Sequence, residues 1–314
     1  MIIVMGVTGA GKSHFINKLA GRKVTDEGDS LRSCTYRCKA ILIEIGRKSV
    51  VVIDTPGFDD AGRTDAQILT EISRVLAAQY KLGAALRGIV YVHRITDIRY
   101  GASAAKTFEI VKRICGDSTL RNVMLVTSMW SQTDEDAGSR KEAELRKSFW
   151  TYMLERGSRM SRFYGSQASA IALISQLLNG LPVVLSLQKE LVDGKRKLKD
   201  TTAGAYVHRR LEARRREHEL TLQNLMQALK GGFRGSTDQK REVEDDIARE
   251  EAGLQQARQQ QTGLDRFIGD EVDEVISNGL QMRAAFAKSL PYITGVVSIV
   301  FNILCGVLGL PVLV

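Results

Sequence analysis

Five short apolar runs punctuate the first 180 residues: IIVM at 2–5, AILIEI at 40–45, VVVID at 50–54, GIVYVH at 88–93 and NVMLVT at 122–127. Each is rich in β-branched residues and too short for a helix, which predicts strands. Helical periodicity fills the intervals near 12–20, 64–80, 103–115 and 138–156. Apolar strands alternating with helices need cover on both faces, so the pattern predicts an α/β class, a doubly wound, mostly parallel sheet. On such a sheet, ligands bind at the carboxyl ends of the strands.

From about residue 183 the pattern changes. Strands vanish, and Leu, Glu, Lys, Arg and Gln dominate as far as residue 290, broken strongly only by GGFRG at 231–235. Two long helices joined by a glycine turn are the simplest layout, a helical hairpin or coiled coil over 183–290. Residues 189–220 hold 10 basic against 6 acidic side chains, whereas 237–274 hold 5 against 12. Antiparallel arms of opposite sign are expected to attract one another and fix their register. The last 24 residues, 291–314, carry no charge. That length matches the hydrocarbon core of a bilayer, and the segment is read as a possible membrane contact, with a packed helix as the competing account. The expected organisation is thus 1–180, 183–290 and 291–314.

Composition narrows the partners. A net charge of +9 and a pI near 9.4 favour phosphates, anionic lipid or nucleic acid. Aromatics make up only 6% of the chain and no basic run interleaves with them, so nucleic acid is the weakest of the three. Cys34, Cys38, Cys115 and Cys305 are too scattered for a disulfide framework, and no leader precedes the first strand, which points to an intracellular, cytoplasmic and reducing setting. Cys34 and Cys38 have the spacing of half a metal site without a matching second pair. The histidines are isolated and read as surface or core residues.

Chemistry concentrates at three places. GVTGAGKS at 6–13 fits G-x-x-x-x-G-K-[ST], directly after a strand and before a helix, as the phosphate-binding loop requires. Its backbone amides and the helix amino terminus face the anion, Lys12 supplies a cation to the outer phosphates, and the Ser13 hydroxyl ligates Mg²⁺. VVVIDTPG at 50–57 places Asp54 at a strand end to hold the Mg²⁺ shell, and the Gly57 amide within reach of a γ phosphate. Between them, Thr35 is the candidate for the remaining metal position, with Arg32 and Arg37 as basic switch residues.

GVTGAGKSHFINKLAG, SCT and VVVIDTPGFDD together resemble the septin-related group of P-loop GTPases, which includes the paraseptins, the immunity-associated GTPases and the chloroplast outer-envelope import GTPases. MLVTSMWSQ and the Phe149–Trp150 pair are most similar to fungal G-domain proteins of that group. The resemblance covers about residues 1–180. It implies a guanine-nucleotide switch binding GTP or GDP with Mg²⁺, working as a homodimer across the nucleotide face, often at a membrane. The catalytic set it implies is Lys12, Thr35, Gly57 and Arg32. The nucleotide contacts are Gly6, Thr8, Gly9, Ala10, Gly11, Lys12, Ser13, His14, Thr127, Trp130 and Ser169, and the metal ligands are Ser13, Thr35 and Asp54.

Two departures qualify it. Phe58 stands where many small GTPases carry a water-orienting Gln, so slow hydrolysis is expected unless a residue supplied in trans completes the site. In TSMW, Trp130 stands where a carboxylate would read guanine, and Ser128 replaces the lysine. Trp130 offers one donor and no acceptor, leaving it to stack on a purine or to pack in the core. Asp134, Glu135 or Asp136 from the next loop, and SQASA at 166–170 as a degenerate fifth motif, are the substitutes the sequence offers. The alternatives to a GTPase switch are a nucleotide-promiscuous NTPase or ATPase, and a scaffold that binds nucleotide without turning it over.

Overall fold

The computed structural model describes residues 1–27, 37–60, 62–230, 237–286 and 312–313. In chain order its elements begin with β1 (Ile2–Gly6), α1 (Lys12–Ala20), β2 (Lys39–Ile45), β3 (Lys48–Asp54), α2 (Asp65–Lys81) and β4 (Gly88–Arg94). They continue with α3 (Ala102–Cys115), β5 (Val123–Ser128), α4 (Glu135–Glu144), α5 (Thr151–Glu155), β6 (Arg159–Arg162) and α6 (Gln167–Leu178). The helical region holds α7 (Ser186–Gln188), α8 (Thr202–Lys230), α9 (Thr237–Leu264) and α10 (Ile268–Phe286), and a two-residue strand β7 (Val312–Leu313) follows.

The strands form one sheet in the order β6-β5-β4-β1-β3-β2-β7. β1 lies at the centre, parallel to β3 through Ile3↔Ile53 and to β4 through Val4↔Val90. The antiparallel pair is β2 and β3, joined by a tight turn in which Gly46 takes a φ of 61°. Only two residues separate these strands, too few for the crossover a parallel pair needs. β6 had no clear signal in the sequence, because its residues Arg159–Arg162 are half-exposed on the sheet edge and polar.

Strand residues alternate between two cores. Ile3, Met5, Ile53, Tyr91 and Leu125 face α2 and α3, while Ile2, Val4, Val52, Val90 and Val126 face α1 and α6. α2 begins at a capping box, in which the Thr64 hydroxyl accepts from the Gln67 amide (3.3 Å) and the Gln67 side chain accepts from the Thr64 amide (3.0 Å). The helical stretch expected over 138–156 is interrupted by a π turn at Leu145–Phe149. That extra residue in the turn brings Trp150 fully inside, stacked on Phe108 and edge-on to Tyr91.

The helical region differs from a plain hairpin over 183–290. Its first 19 residues fold as short helical turns against the sheet domain, with Leu185, Leu187, Leu191 and Leu198 buried. α8 and α9 then form the arms, and α10 returns to dock on α2, joined by Arg74–Glu271 (3.1 Å) and Lys81–Asp273 (2.5 Å). The arms are antiparallel, yet their charges are offset. Across the pair, His218 meets Glu250 (2.5 Å) and Arg258 lies 3.9 Å from Glu219. In this register the arginines of 209–216 oppose the acid-free, glutamine-rich end of α9, and the acids of 242–251 oppose the outer half of α8, LTLQNLMQALK. Mutual neutralisation of the arms therefore does not set the pairing. The turn at 231–235 lies outside the described residues, and so does the uncharged tail 291–314 except for β7; no helix among the described residues is long and apolar enough to cross a membrane.

Candidate functional site

At the carboxyl end of β1 the chain leaves the sheet through Gly6, where a Cβ would overlap the Val92 carbonyl. Gly11, at the amino end of α1, has a φ of 86°, a left-handed conformation that any side chain would strain. The loop between them wraps around the start of α1, so backbone amides and the helix dipole converge on one concave spot. Lys12, only 6% exposed, donates from Nζ to the carbonyls of Gly6 (3.3 Å) and Val7 (2.9 Å). Burial pushes its pKa down to about 8, opposed by the carboxylates of Asp54 and Asp60. A buried cation beside backbone amides is an anion site.

Asp54 ends β3 and is fully buried. Its Oδ2 accepts from the hydroxyls of Ser13 (3.0 Å) and Thr25 (3.0 Å). Burial raises its pKa, against the lowering influence of Lys12 and of both hydroxyls. Ser13 and Asp54 thus bring two hard oxygen donors together, the kind Mg²⁺ takes when phosphates and water supply the rest. A cation held by the protein alone does not fit: among the described residues, no cluster of three His, Cys, Asp or Glu could hold one. Thr25 was missed in the sequence because it precedes the switch segment and belongs to no motif. Thr35 and Arg32 lie outside the described residues, and Arg37 is exposed.

The segment after Asp54 is stitched to the phosphate loop. Thr55 donates its hydroxyl to Val4 O (2.7 Å), Phe58 N–H donates to Gly6 O (3.3 Å), and Thr8 N–H donates to Phe58 O (3.2 Å). A Cβ on Gly57 would fall 2.5 Å from the Thr8 amide, so only glycine permits this approach. The Phe58 ring is fully buried in the core beneath α2.

Above the phosphate loop stands the end of β5. Ser128 donates its hydroxyl to Ala10 O (2.8 Å), and Met129, at a φ of 63°, brings its Cε to 4.0 Å from the place a Cβ on Gly11 would take. Trp130 turns into the core: its Nε1 donates to Thr127 Oγ1 (3.0 Å) and Thr127 O (3.2 Å), and the Arg162 guanidinium lies 4.0 Å from its ring. Thr127 is itself buried. The nearby carboxylates are engaged elsewhere. Asp134 caps α4 by accepting from Asp136 and Ala137 amides, while Glu135 and Glu142 bind Arg162. Ser128 and Met129 were not weighed as contacts in the sequence, since a serine and a methionine at a strand end carry no signal of their own.

On the far side, Ser166 caps α6 by accepting from the Ser169 amide (3.2 Å), and the Ser169 hydroxyl donates back to Ser166 O (2.9 Å). His14, next to Ser13, makes a 2.8 Å contact with Glu27 and lies beside Phe163 and Gly165. The loop at 163–169 therefore closes one flank of the cradle and Met129 the other.

The chain is similar to several known proteins. The chain is 29% identical over 138 residues to Translocase of chloroplast 90 from Arabidopsis thaliana, covering 43% of this chain and 17% of that protein. It thus spans about a sixth of the relative's length. Among solved structures, Toc33 from Arabidopsis thaliana in complex with GDP and Mg²⁺ superposes with a TM-score of 0.47 at 18% identity, covering 58% of this chain and 86% of Toc33. Era bound to MgGDPNP and a segment of 16S ribosomal RNA superposes with a TM-score of 0.44 at 16% identity, covering 58% and 56%. Residues 1–160 match the AIG1 family profile, just over half of the chain, and the chain belongs to the AIG1 family.

Proposed function

We propose that this protein is a guanine-nucleotide-binding switch that hydrolyses GTP slowly with Mg²⁺. The observation that carries the reading is the convergence of Lys12, Ser13 and Asp54 on one buried spot at the start of α1. In the complex, Mg²⁺ bound to the phosphates supplies charge neutralisation at the γ position. Ser13 and Asp54 hold its shell, with Thr35 joining from the switch segment, and Lys12 with the amides of residues 8–13 holds the phosphates. Gly57 N–H senses the γ phosphate from a segment whose Phe58 carbonyl already accepts from the Thr8 amide. Slow turnover follows from Phe58, whose ring is in the core and cannot orient water.

The finer parts of the reading are also proposals. Nucleotide state controls homodimerisation across the nucleotide face, with Arg32 as the cation offered to the partner's phosphates. The uncharged segment 291–314 contacts a membrane from its cytosolic side. The placement near fungal G-domain proteins rests on Thr127–Trp130 and Phe149–Trp150.

A second reading, a base-promiscuous NTPase, is favoured by one observation: Asp134 and Glu135 are committed to a helix cap and to Arg162, and Met129 with Ser128 covers the loop where a carboxylate would read guanine. One titration decides between them. Nucleotide-free protein is titrated with fluorescent GTP and ATP analogues in Mg²⁺. A tenfold GTP preference, about 1.4 kcal/mol, supports the switch, and equal affinities support the promiscuous enzyme. Lys12→Ala is expected to weaken both by at least 100-fold, about 2.7 kcal/mol; undiminished affinity would overturn the phosphate-loop reading.

A further inference from the structure

Outside the nucleotide cradle, a concavity of about 1220 Å³ lies between the α2–α3 face of the sheet domain and the inner thirds of α8 and α9. Ligand sites usually span roughly 300–1,000 Å³, so it has room for a small molecule and its water. One end is formed by Arg37, Asp60 and Arg63, next to the Asp-Thr-Pro-Gly segment. The opposite wall is α8, which turns Arg210 and Arg214 inward one helical turn apart, and α9, which contributes Gln256, Gln259 and Gln260.

Accounting for charge on these walls shows an excess of unpaired donors. Arg63 binds Glu71 (2.6 Å), Lys106 binds Asp65 (2.7 Å) and lies 3.6 Å from Asp59, and Arg74 and Arg266 share Glu271. Asp60 accepts from the Gly62 amide (2.8 Å). Among the described residues Arg37, Arg210 and Arg214 form no ion pair, and Arg210 has only the Tyr206 ring, 5.8 Å away. Glu217 is the one carboxylate on the α8 wall, exposed and nearly a turn further out than Arg214. The cause is the register of the arms. Had the acids of 242–251 faced 209–216, these arginines would be neutralised; instead α9 presents side-chain amides there. Arg209 and Arg216, exposed on the same stretch, add to the positive field, and a recessed site concentrates it.

We propose that this cleft is a binding site for a soluble oligophosphate anion, distinct from the nucleotide cradle. Guanidinium forks from Arg210 and Arg214 bind phosphate oxygens in pairs, and the NH₂ groups of Gln256, Gln259 and Gln260 donate to the remainder. Phosphate suits the walls better than an acidic peptide. A peptide brings backbone N–H donors that need acceptors, whereas most carboxylates here are already engaged.

The test is calorimetric titration of inorganic tripolyphosphate into the full chain carrying Lys12→Ala, which disables the phosphate loop, and into the same chain with Arg210→Ala and Arg214→Ala added. Saturable binding in the first, weakened tenfold or more in the second, is the expected result. Both arginines are exposed, and unchanged circular dichroism confirms that the fold is retained. Absence of binding in Lys12→Ala, or equal affinity in both chains, overturns the proposal. Tighter binding of hexaglutamate than of tripolyphosphate also overturns it, in favour of an acidic protein partner. The nucleotide titration above uses the wild-type chain, so either reading can fail without the other.

Discussion

Helices α2 and α8 have contrasting surroundings. α2 buries eleven of its 17 residues between the sheet and the helical region. α8 buries five of 29, and four of those lie in its first ten positions, leaving Leu222 alone further out. Hydrophobic burial stabilises by about 25 cal/mol per Å², so α2 is held by the core whereas the outer part of α8 depends on α9 and on its own helical propensity. Helices of that kind are marginal when they stand alone. The molecule thus joins a cooperative domain to an arm of lower local stability, whose inner ends pack directly on α2 and α3 while α10 returns to dock on α2.

The largest loss of stability is expected in the core. Trp150→Ala removes a fully buried indole stacked on Phe108, and its expected cost is about 3–5 kcal/mol in urea unfolding. A cost below 1 kcal/mol would mean the core beneath α3 is looser than its burial suggests. Acid acts next, and on the same domain. Burial, helped by Arg94 and opposed by Asp97, lowers the pKa of His93 to about 4. Its unfolded value is 6.5, so between these limits the unfolded chain binds the extra proton. The neutral imidazole's stabilisation is complete above about pH 6.5 and is lost as pH falls to about 4, on the order of 3 kcal/mol. His93→Phe is expected to flatten that slope; an unaltered slope would place the titrating group elsewhere.

The arm should respond locally. Leu222→Ala is expected to cost about 2 kcal/mol of arm stability, accelerating amide exchange in the outer halves of α8 and α9 some thirtyfold while leaving β4 and β5 unchanged. Equal acceleration in the strands would show that arm and domain unfold as one. The smallest effect belongs to the surface where α10 docks on α2. Lys81→Ala removes the pair with the exposed Asp273 and should cost under about 1 kcal/mol, readable as a small shift in thermal midpoint.

What was legible in the sequence tracks how strongly burial dictates residue type. β1, β3, β4 and β5 were visible because central strands are apolar on both faces, and α1 was marked by the phosphate-loop motif that leads into it. β6, at an edge, had no such requirement. The helical region announced its helices through composition, yet its register did not follow from net charge: the glutamines of α9, and not its acids, lie opposite the arginines of α8. At the site, Lys12, Ser13 and Asp54 were recognisable because phosphate chemistry requires those types at that spacing. Ser128 and Met129 were not, since their contacts use a hydroxyl and a thioether that any loop contains. Trp130 drew attention because it stands where a carboxylate would read guanine; of the two roles the sequence left open, packing is the one observed, with its indole nitrogen satisfied by Thr127.

Phe58 constrains what natural variation can do at this position. Its side chain fills the core while its backbone ties the segment to Gly6 and Thr8. Replacing it with glutamine would bury an amide without partners before any amide reached a water. A single-step exchange to the water-orienting glutamine that many small GTPases carry here is thus closed to this fold. Lineages of this fold that gain speed are expected to recruit a side chain from another segment or another molecule, leaving the aromatic residue in place.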